Sequence, residues 1–339
     1  MSKNNFENTS ESIKQSVLVT GANGFVGANL CRKLIDNGYN IIAGVRKSAN
    51  LNLLEDLDIE YRYGDITLPD SLIKMVKDVN YVIHNAGIVK AKKKQSFFDI
   101  NEQGTRNVFE AILKVNPNIK KIIYISSLAA AGNSSDNQPV TENDNPHPIT
   151  TYGHSKLAGE KIALSYKNKL NVCVIRPSGV YGPGDKEIMT LFQTVNNHLK
   201  PFIGDCSRKL QLVHVDDLCR GISKAMTTNT NSGSIYFICE KKAYSLKELM
   251  NILETASGKK AIPVYIPSSL FKLIAAFSET AFKIVGATPM LTREKAGELL
   301  ASWEVSTAKA KKELDFESAI DFNIGAKETY RWYREKGWL

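Results

Sequence analysis

Tyr152 and Lys156 stand four residues apart in the run Tyr-Gly-His-Ser-Lys. Positions i and i+4 share one face of a helix, so a phenol and an ammonium would project together there. A phenol titrates near pH ~10 and is a poor acid or base at neutral pH. A neighbouring positive charge favours the phenolate and pulls that value toward the working range. Ser126-Ser127 closes an apolar run of strand type. A hydroxyl at that end could hold an oxygen that exchanges a proton with Tyr152. The chemistry on offer is proton transfer to or from an alcohol oxygen, with Ser127, Tyr152 and Lys156 as its candidate carriers.

A second pattern supplies a place for a partner reactant. Gly21-Ala-Asn-Gly24-Phe-Val-Gly27 follows an apolar run and opens a helical one. Glycines at these spacings permit a tight turn, close approach of a pyrophosphate, and tight packing of helix on strand. The following helix N-terminus offers free N–H groups to phosphate oxygens. Gly21, Asn23, Gly24, Phe25, Val26 and Gly27 are therefore candidate dinucleotide contacts. An NAD site usually carries an acid at the end of the next strand, to hold the ribose 2′-OH. Here that position reads Gly44-Val45-Arg46-Lys47 with no acid nearby. A guanidinium pairs bidentately with a phosphate, so Arg46, supported by Lys47, predicts NADP(H), with NAD(H) the other possibility. Asp65-Ile66 ends a third strand, where an Asp can accept from an adenine amino group and an Ile can cover the ring.

These groups need a scaffold, and the chain supplies a regular beat. Strands are expected at 16–20, 40–45, 59–63, 79–84, 121–126, 172–175 and 234–238. Helices are expected at 25–37, 96–114, 150–168, 185–199, 217–227, 268–285 and 321–336, with a capping box at Ser245-Leu-Lys-Glu248 opening another. Strands alternating with helices imply right-handed crossovers and a parallel sheet. The predicted architecture is α/β: a Rossmann-type doubly wound parallel sheet with a smaller α+β C-terminal substrate lobe. Residues 1–15 read as a flexible N-terminus and 16–180 as the core, with 209–240 returning to it. Residues 181–208 and 241–339 read as the lobe.

Composition sets the outer limits. The 339 residues carry 44 Lys+Arg against 35 Asp+Glu, a net charge of +9, and 43% are hydrophobic. That excludes a disordered chain. No apolar stretch is long enough to span a bilayer, and the first fifteen residues hold no apolar signal core. Five cysteines without CxxC spacing suit buried thiols and a cytoplasmic location, and no metal site is expected. No helix-turn-helix, zinc-finger or RNP pattern accompanies the basic run Lys90 to Lys94, so no nucleic-acid partner is expected. That run could meet an anionic substrate or simply be a solvated loop.

In chain order the glycine turn, Asp65-Ile66, His84-Asn-Ala-Gly87, Asn101-Glu-Gln-Gly-Thr105, Ser126-Ser127, the YGHSK run and Arg176-Pro-Ser-Gly-Val-Tyr-Gly-Pro-Gly-Asp185 follow one another. Together they resemble the extended short-chain dehydrogenases/reductases, the NAD-dependent epimerase/dehydratase family, over nearly the whole chain from Ser16. The resemblance implies Ser127, Tyr152 and Lys156 as a catalytic triad. It implies Asn101 near the cofactor, Ala86 and Gly87 under the nicotinamide ribose, and Pro177 through Val180 against the carboxamide. Tyr152 and Lys156 would also touch the cofactor. It places Arg208 and Asp216-Asp217 on the substrate side, and it implies a homodimer through the helices at 96–114 and 150–168.

The reaction is narrowed by departures from the family text. Sugar dehydratases resemble one another in an Asp-Glu pair after the catalytic hydroxyl residue; here the pair is Leu128-Ala129. Ser-Ser-Leu-Ala-Ala-Ala-Gly and YGHSK are nearest the 3β-hydroxysteroid dehydrogenase branch, and Val45-Arg46 resembles the dihydroflavonol reductase branch. The expectation is an NAD(P)-dependent oxidoreductase, a ketone reductase or secondary alcohol dehydrogenase. Candidate substrate contacts are Ser127, Lys90 and Arg208. The alternatives are a nucleotide-sugar 4-epimerase that retains its NAD(P) and a catalytically reduced NADP-binding regulator. The apolar stretch at 269–285 could cover an apolar substrate or touch a membrane surface, or be the packed face of a lobe helix.

Overall fold

The computed structural model describes residues 14–135, 138–284 and 291–339. Residues 1–13 of the expected N-terminal tail, and Val285 at the end of the expected 268–285 helix, lie outside the described residues.

Apolar alternation builds the sheet. In β1 (Ser16–Thr20) Val17 and Val19 face one side and Leu18 the other. In β2 (Asn40–Val45) Ile41, Ala43 and Val45 share the first side and Ile42 the second. Period two is imposed by extended backbone, and strands apolar on both faces belong in a sheet covered twice. The chain continues through β3 (Glu60–Tyr63), β4 (Tyr81–His84), β5 (Lys121–Ile125), β6 (Val172–Pro177), β7 (Gly179–Tyr181), β8 (Leu199–Ile203), β9 (Lys209–His214) and β10 (Ser234–Ile238). Seven of these form one sheet in the order β3-β2-β1-β4-β5-β6-β10, parallel throughout. Helices Phe25–Asp36, Val215–Thr227 and Ala308–Leu314 cover the first side with Leu30, Leu34, Leu218, Ile222 and Leu314. Helices Pro69–Met75, Gly104–Val115 and Thr151–Ser165 cover the second with Leu72, Val108, Phe109, Ile112 and Ala163.

The strand order reverses between β1 and β4. Crossovers leave on opposite sides there, and a crevice opens beyond the carboxyl ends of the two strands. Thr20 and His84, the last residues of β1 and β4, are register partners. The glycine turn and the His84-Asn-Ala-Gly87 loop therefore emerge side by side.

The lobe is built on two small sheets, β11 (Ala243–Ser245) with β9 and β7, and β12 (Ile262–Ile266) with β8. Tyr181, Phe192, Tyr244, Leu253, Phe322 and Tyr333 form its buried centre. The boundary is less simple than the sequence suggests. β9, from the stretch expected to return to the core, pairs within a lobe sheet. Ala310, Leu314 and Phe316, from the stretch expected in the lobe, pack into the core of the main sheet.

The expected helix at 96–114 is three segments. Lys94–Phe98 is α-helical, Asp99–Gln103 is a π-helical turn, and Gly104–Val115 is α-helical again. Sequence periodicity does not register a single widened turn, which is fixed by tertiary contacts.

Gly27 sets the distance between the first helix and its strand. A Cβ there would lie 2.2 Å from the Gly21 carbonyl oxygen and 2.8 Å from Ala22 Cα. Gly27→Ala is expected to destabilise the fold by about 1–3 kcal/mol through overpacking against rigid backbone. It should also weaken dinucleotide binding, checked by denaturant unfolding and by cofactor titration.

Candidate active site

The crevice between β1 and β4 is lined first by backbone. Gly21 has φ +66° and follows the end of β1 directly, a conformation that favours glycine. A Cβ on it would meet Ala86 Cα at 2.8 Å, so the two loops lie against each other. Helix Phe25–Asp36 starts at exposed Gly24, with no side-chain cap on its first N–H groups. Free N–H groups at such an end favour phosphate oxygens, and the residues present fit a dinucleotide pyrophosphate. Thr20 stitches the two loops together: its Oγ1 accepts from Ala86 N at 3.1 Å and lies 2.8 Å from His84 Nδ1. His84 Nε2 lies 3.2 Å from Thr105 Oγ1. Burial, and next the Lys156 charge, push the His84 imidazole down to about 3. His84 is thus a neutral strut at neutral pH, held between Thr20 and Thr105.

Ser127, Tyr152 and Lys156 converge at the carboxyl end of β5. Ser127 caps the one-turn helix Leu128–Ala131, its Oγ accepting from Ala129 N at 3.1 Å. Tyr152 and Lys156 sit on helix Thr151–Ser165, whose start is capped by Thr150 Oγ1 accepting from Gly153 N at 3.0 Å. Gly159 lets that helix press on its neighbours. A Cβ there would lie 2.2 Å from the Asn101 carbonyl oxygen and 2.4 Å from the Tyr124 hydroxyl. Burial raises the Tyr152 pKa; a hydrogen bond with the Ser127 hydroxyl lowers it, and the Glu298 charge raises it. Lys156 Nζ is buried, donates to the Ile125 carbonyl at 2.6 Å, and lies 4.7 Å from the centre of the Tyr124 ring. Burial pulls its pKa down to about 8, and Glu160 works against that shift.

Glu160 is a site residue that sequence reading passed over. It stands one further helical turn beyond Lys156, so the i, i+4 spacing that exposed the Tyr–Lys pair could have exposed it too. Its carboxylate is buried with Arg176 in a two-point ion pair, Nη2 to Oε1 at 2.6 Å and Nε to Oε2 at 3.0 Å. Ser126 Oγ donates to Oε2 at 2.8 Å. Ser126 therefore anchors the strand end to the helix, and Ser127 is the serine that reaches Tyr152.

The π-helical turn places Asn101. Its Oδ1 accepts from Ile88 N at 2.9 Å, and its Nδ2 donates to the Ile88 carbonyl at 3.1 Å and to Ser155 Oγ at 2.9 Å. The side chain clamps the loop after Gly87 to the helix that carries Tyr152 and Lys156. A π turn at such a point is a recurrent feature of functional sites.

The lobe reaches over the same helix end. Glu294, on helix Arg293–Leu300, accepts from Thr151 N at 3.0 Å and Thr151 Oγ1 at 2.9 Å, and from Lys94 Nζ at 2.5 Å. Lys90 donates to Glu187 of helix Glu187–Asn196 at 2.5 Å. Two ends of the basic run thus tie the loop after β4 to two lobe helices, and Lys90 is placed in a bridging ion pair.

The other expected residues fall in several places. Arg46 and Lys47 are exposed just past β2. Asp65 Oδ1 accepts from Thr67 N at 2.9 Å and Thr67 Oγ1 at 2.7 Å, which fixes its carboxylate. Ile66 packs over Gly104. Pro177 is buried at the end of β6, and Val180 packs against the main core. Arg208 is buried, its Nη1 donating to the Ile203 and Asp205 carbonyls. Asp217 accepts from Arg220 at 2.5 Å and from the Ala319 and Ile320 N–H groups at 2.8 and 2.9 Å, anchoring the C-terminal stretch. Among the described residues no group of three His, Cys, Asp or Glu side chains converges to hold a metal.

The family model described as NAD dependent epimerase/dehydratase matches residues 17–239. The ceramide reductase of Caulobacter vibrioides (strain NA1000 / CB15N) is 27% identical, with 95% of this chain and 96% of that protein covered. The UDP-glucose 4-epimerase of Vibrio cholerae is 26% identical, covering 93% and 94%. The crystal structure of gox2253 superposes with a TM-score of 0.82 at 27% identity, covering 96% of this chain and 99% of the other.

Proposed function

This chain belongs to the NAD-dependent epimerase/dehydratase family, and from that premise we propose that it transfers a hydride between NADP(H) and an apolar ketone or secondary alcohol. The observation that carries this reading is the turn beside the catalytic hydroxyls. Leu128–Ala131 is a buried, wholly apolar helix of four residues following Ser127. Neither Leu128 nor Ala129 can move a proton, so the site holds groups for one proton at one oxygen and none there for expelling water.

In the direction of reduction, Tyr152 Oη gives its proton to the carbonyl oxygen while Ser127 Oγ holds that oxygen. Lys156, charged below about pH 8, stabilises the phenolate left behind. The bound nicotinamide supplies the hydride. The exposed first turn at Gly24 would hold the pyrophosphate, Ala86 and Gly87 would border the ribose, and Pro177 to Val180 would border the carboxamide. Asp65 and Ile66 would meet the adenine, and Arg46 with Lys47 would meet the 2′-phosphate. Arg46→Ala is expected to lower the NADP-to-NAD ratio of kcat/KM by about tenfold or more, the loss of one charge-assisted pair. An unchanged ratio removes the assignment.

A second reading, a nucleotide-sugar 4-epimerase, is favoured by the family's own breadth and by the Vibrio cholerae relative. An epimerase returns the hydride and keeps its cofactor. Cofactor that stays with the protein through purification and comes off only on denaturation, with no net turnover on alcohols, supports that reading over the first.

A further inference from the structure

Helix Ser268–Ile284 is apolar on two sides. Phe271 and Ala275 are buried against Ala296 and Leu300 of the neighbouring helix. A separate stripe at i, i+3, i+4 and i+7 points away: Leu270 is 47% exposed, Leu273 67%, Ile274 46% and Phe277 75%. Four large apolar side chains in one open row exceed the scattered exposure normal for a folded surface. We propose that this stripe docks on an anionic phospholipid bilayer and brings an apolar substrate to the site.

Charge selects the partner. Between residues 259 and 282 the exposed charged side chains are Lys259, Lys260 and Lys272, all positive. The acid in this stretch, Glu279, is half-buried and accepts from Arg293 N at 2.9 Å. Lys272 stands on the same helix between Leu270 and Leu273, and an apolar row carrying a lysine suits the boundary between acyl chains and anionic headgroups. A second copy of the chain is a poorer occupant, because a self-complementary contact brings a second surface of the same positive charge to this one and supplies no exposed acid from this stretch to offset it. Among the described residues no helix is long and apolar enough to cross a membrane, so the stripe lies on the surface.

The position suits delivery. The neighbouring helix, Arg293–Leu300, carries Glu294, bonded to Thr151 at the start of the catalytic helix, and Glu298, whose charge acts on Tyr152. The docking row is thus one helix away from the catalytic phenol. This part of the inference rests on the proposed hydride transfer to an apolar substrate.

Flotation of the full chain with phosphatidylcholine vesicles containing phosphatidylglycerol, against phosphatidylcholine alone, tests it. The chain is expected to float with the anionic vesicles. The double variant L273E/F277E should lose at least about tenfold in bound fraction. Lys272→Glu, which leaves the apolar row whole, should lose binding to the anionic vesicles in particular. Both variants should reduce a short water-soluble ketone as the unaltered chain does. A chain that floats with neither vesicle, or an L273E/F277E variant that floats undiminished, overturns the proposal. So does a dimer, seen by light scattering, that the same double substitution converts to a monomer. Flotation without ketone turnover keeps the docking surface and removes the reductase reading; turnover without flotation does the reverse.

Discussion

Tyr152→Phe lowers kcat for ketone reduction by about 10²–10⁴-fold, the range of one positioned general acid, and leaves NADP(H) affinity unchanged. The argument is local. The phenol is one helical turn from Lys156, with the Ser127 hydroxyl acting on it to lower its pKa, and the substitution removes one oxygen without moving the helix. Cofactor contacts from the glycine turn lie on other elements, so binding survives. Titration of NADPH fluorescence alongside steady-state kinetics reads both quantities. Loss of binding together with turnover removes the acid role and makes Tyr152 a cofactor contact alone.

The second large effect concerns stability. Glu160→Ala should destabilise the protein by about 3–5 kcal/mol, because it leaves Arg176 charged, buried and without its partner. Arg176 and Glu160 side chains are each 2% exposed, so water cannot take over the lost bonds. The milder Glu160→Gln keeps the volume and reaches the chemistry. Lys156 is held at about 8 by burial working against Glu160. Removing the Glu160 charge leaves burial less opposed, so the Lys156 pKa falls further. The ammonium is then lost at lower pH, and the alkaline limb of kcat should move acidward from near pH 8. A limb that stays in place shows that Lys156 does not set it. Urea denaturation checks the first effect and a pH–rate profile the second.

What was legible in the sequence follows the range of the interactions. The bounds of β1, β2 and β10 agree with the reading, because a buried parallel strand announces itself by a short apolar run. The glycine turn and the Tyr152–Lys156 spacing were legible because their geometry is set within one turn of chain. The π turn at Asp99–Gln103 was not, since its widening serves contacts of Asn101 with Ile88 and Ser155. Glu294 gave no signal because its partner Thr151 is 143 positions away. The Lys90 pair gave no signal either, because its partner Glu187 lies 97 positions on. Short elements such as Leu128–Ala131 and Arg293–Leu300 lack the length to show a period.

The most direct test of the account follows a label. NADPH carrying deuterium at the transferred C4 position is incubated with the protein and an apolar ketone, and the products are read by mass spectrometry. The account predicts stoichiometric NADP formation, with deuterium on the new carbinol carbon, and loss of both in Tyr152→Phe. Cofactor that stays bound with no net oxidation, while a sugar nucleotide is converted to its epimer, would contradict it.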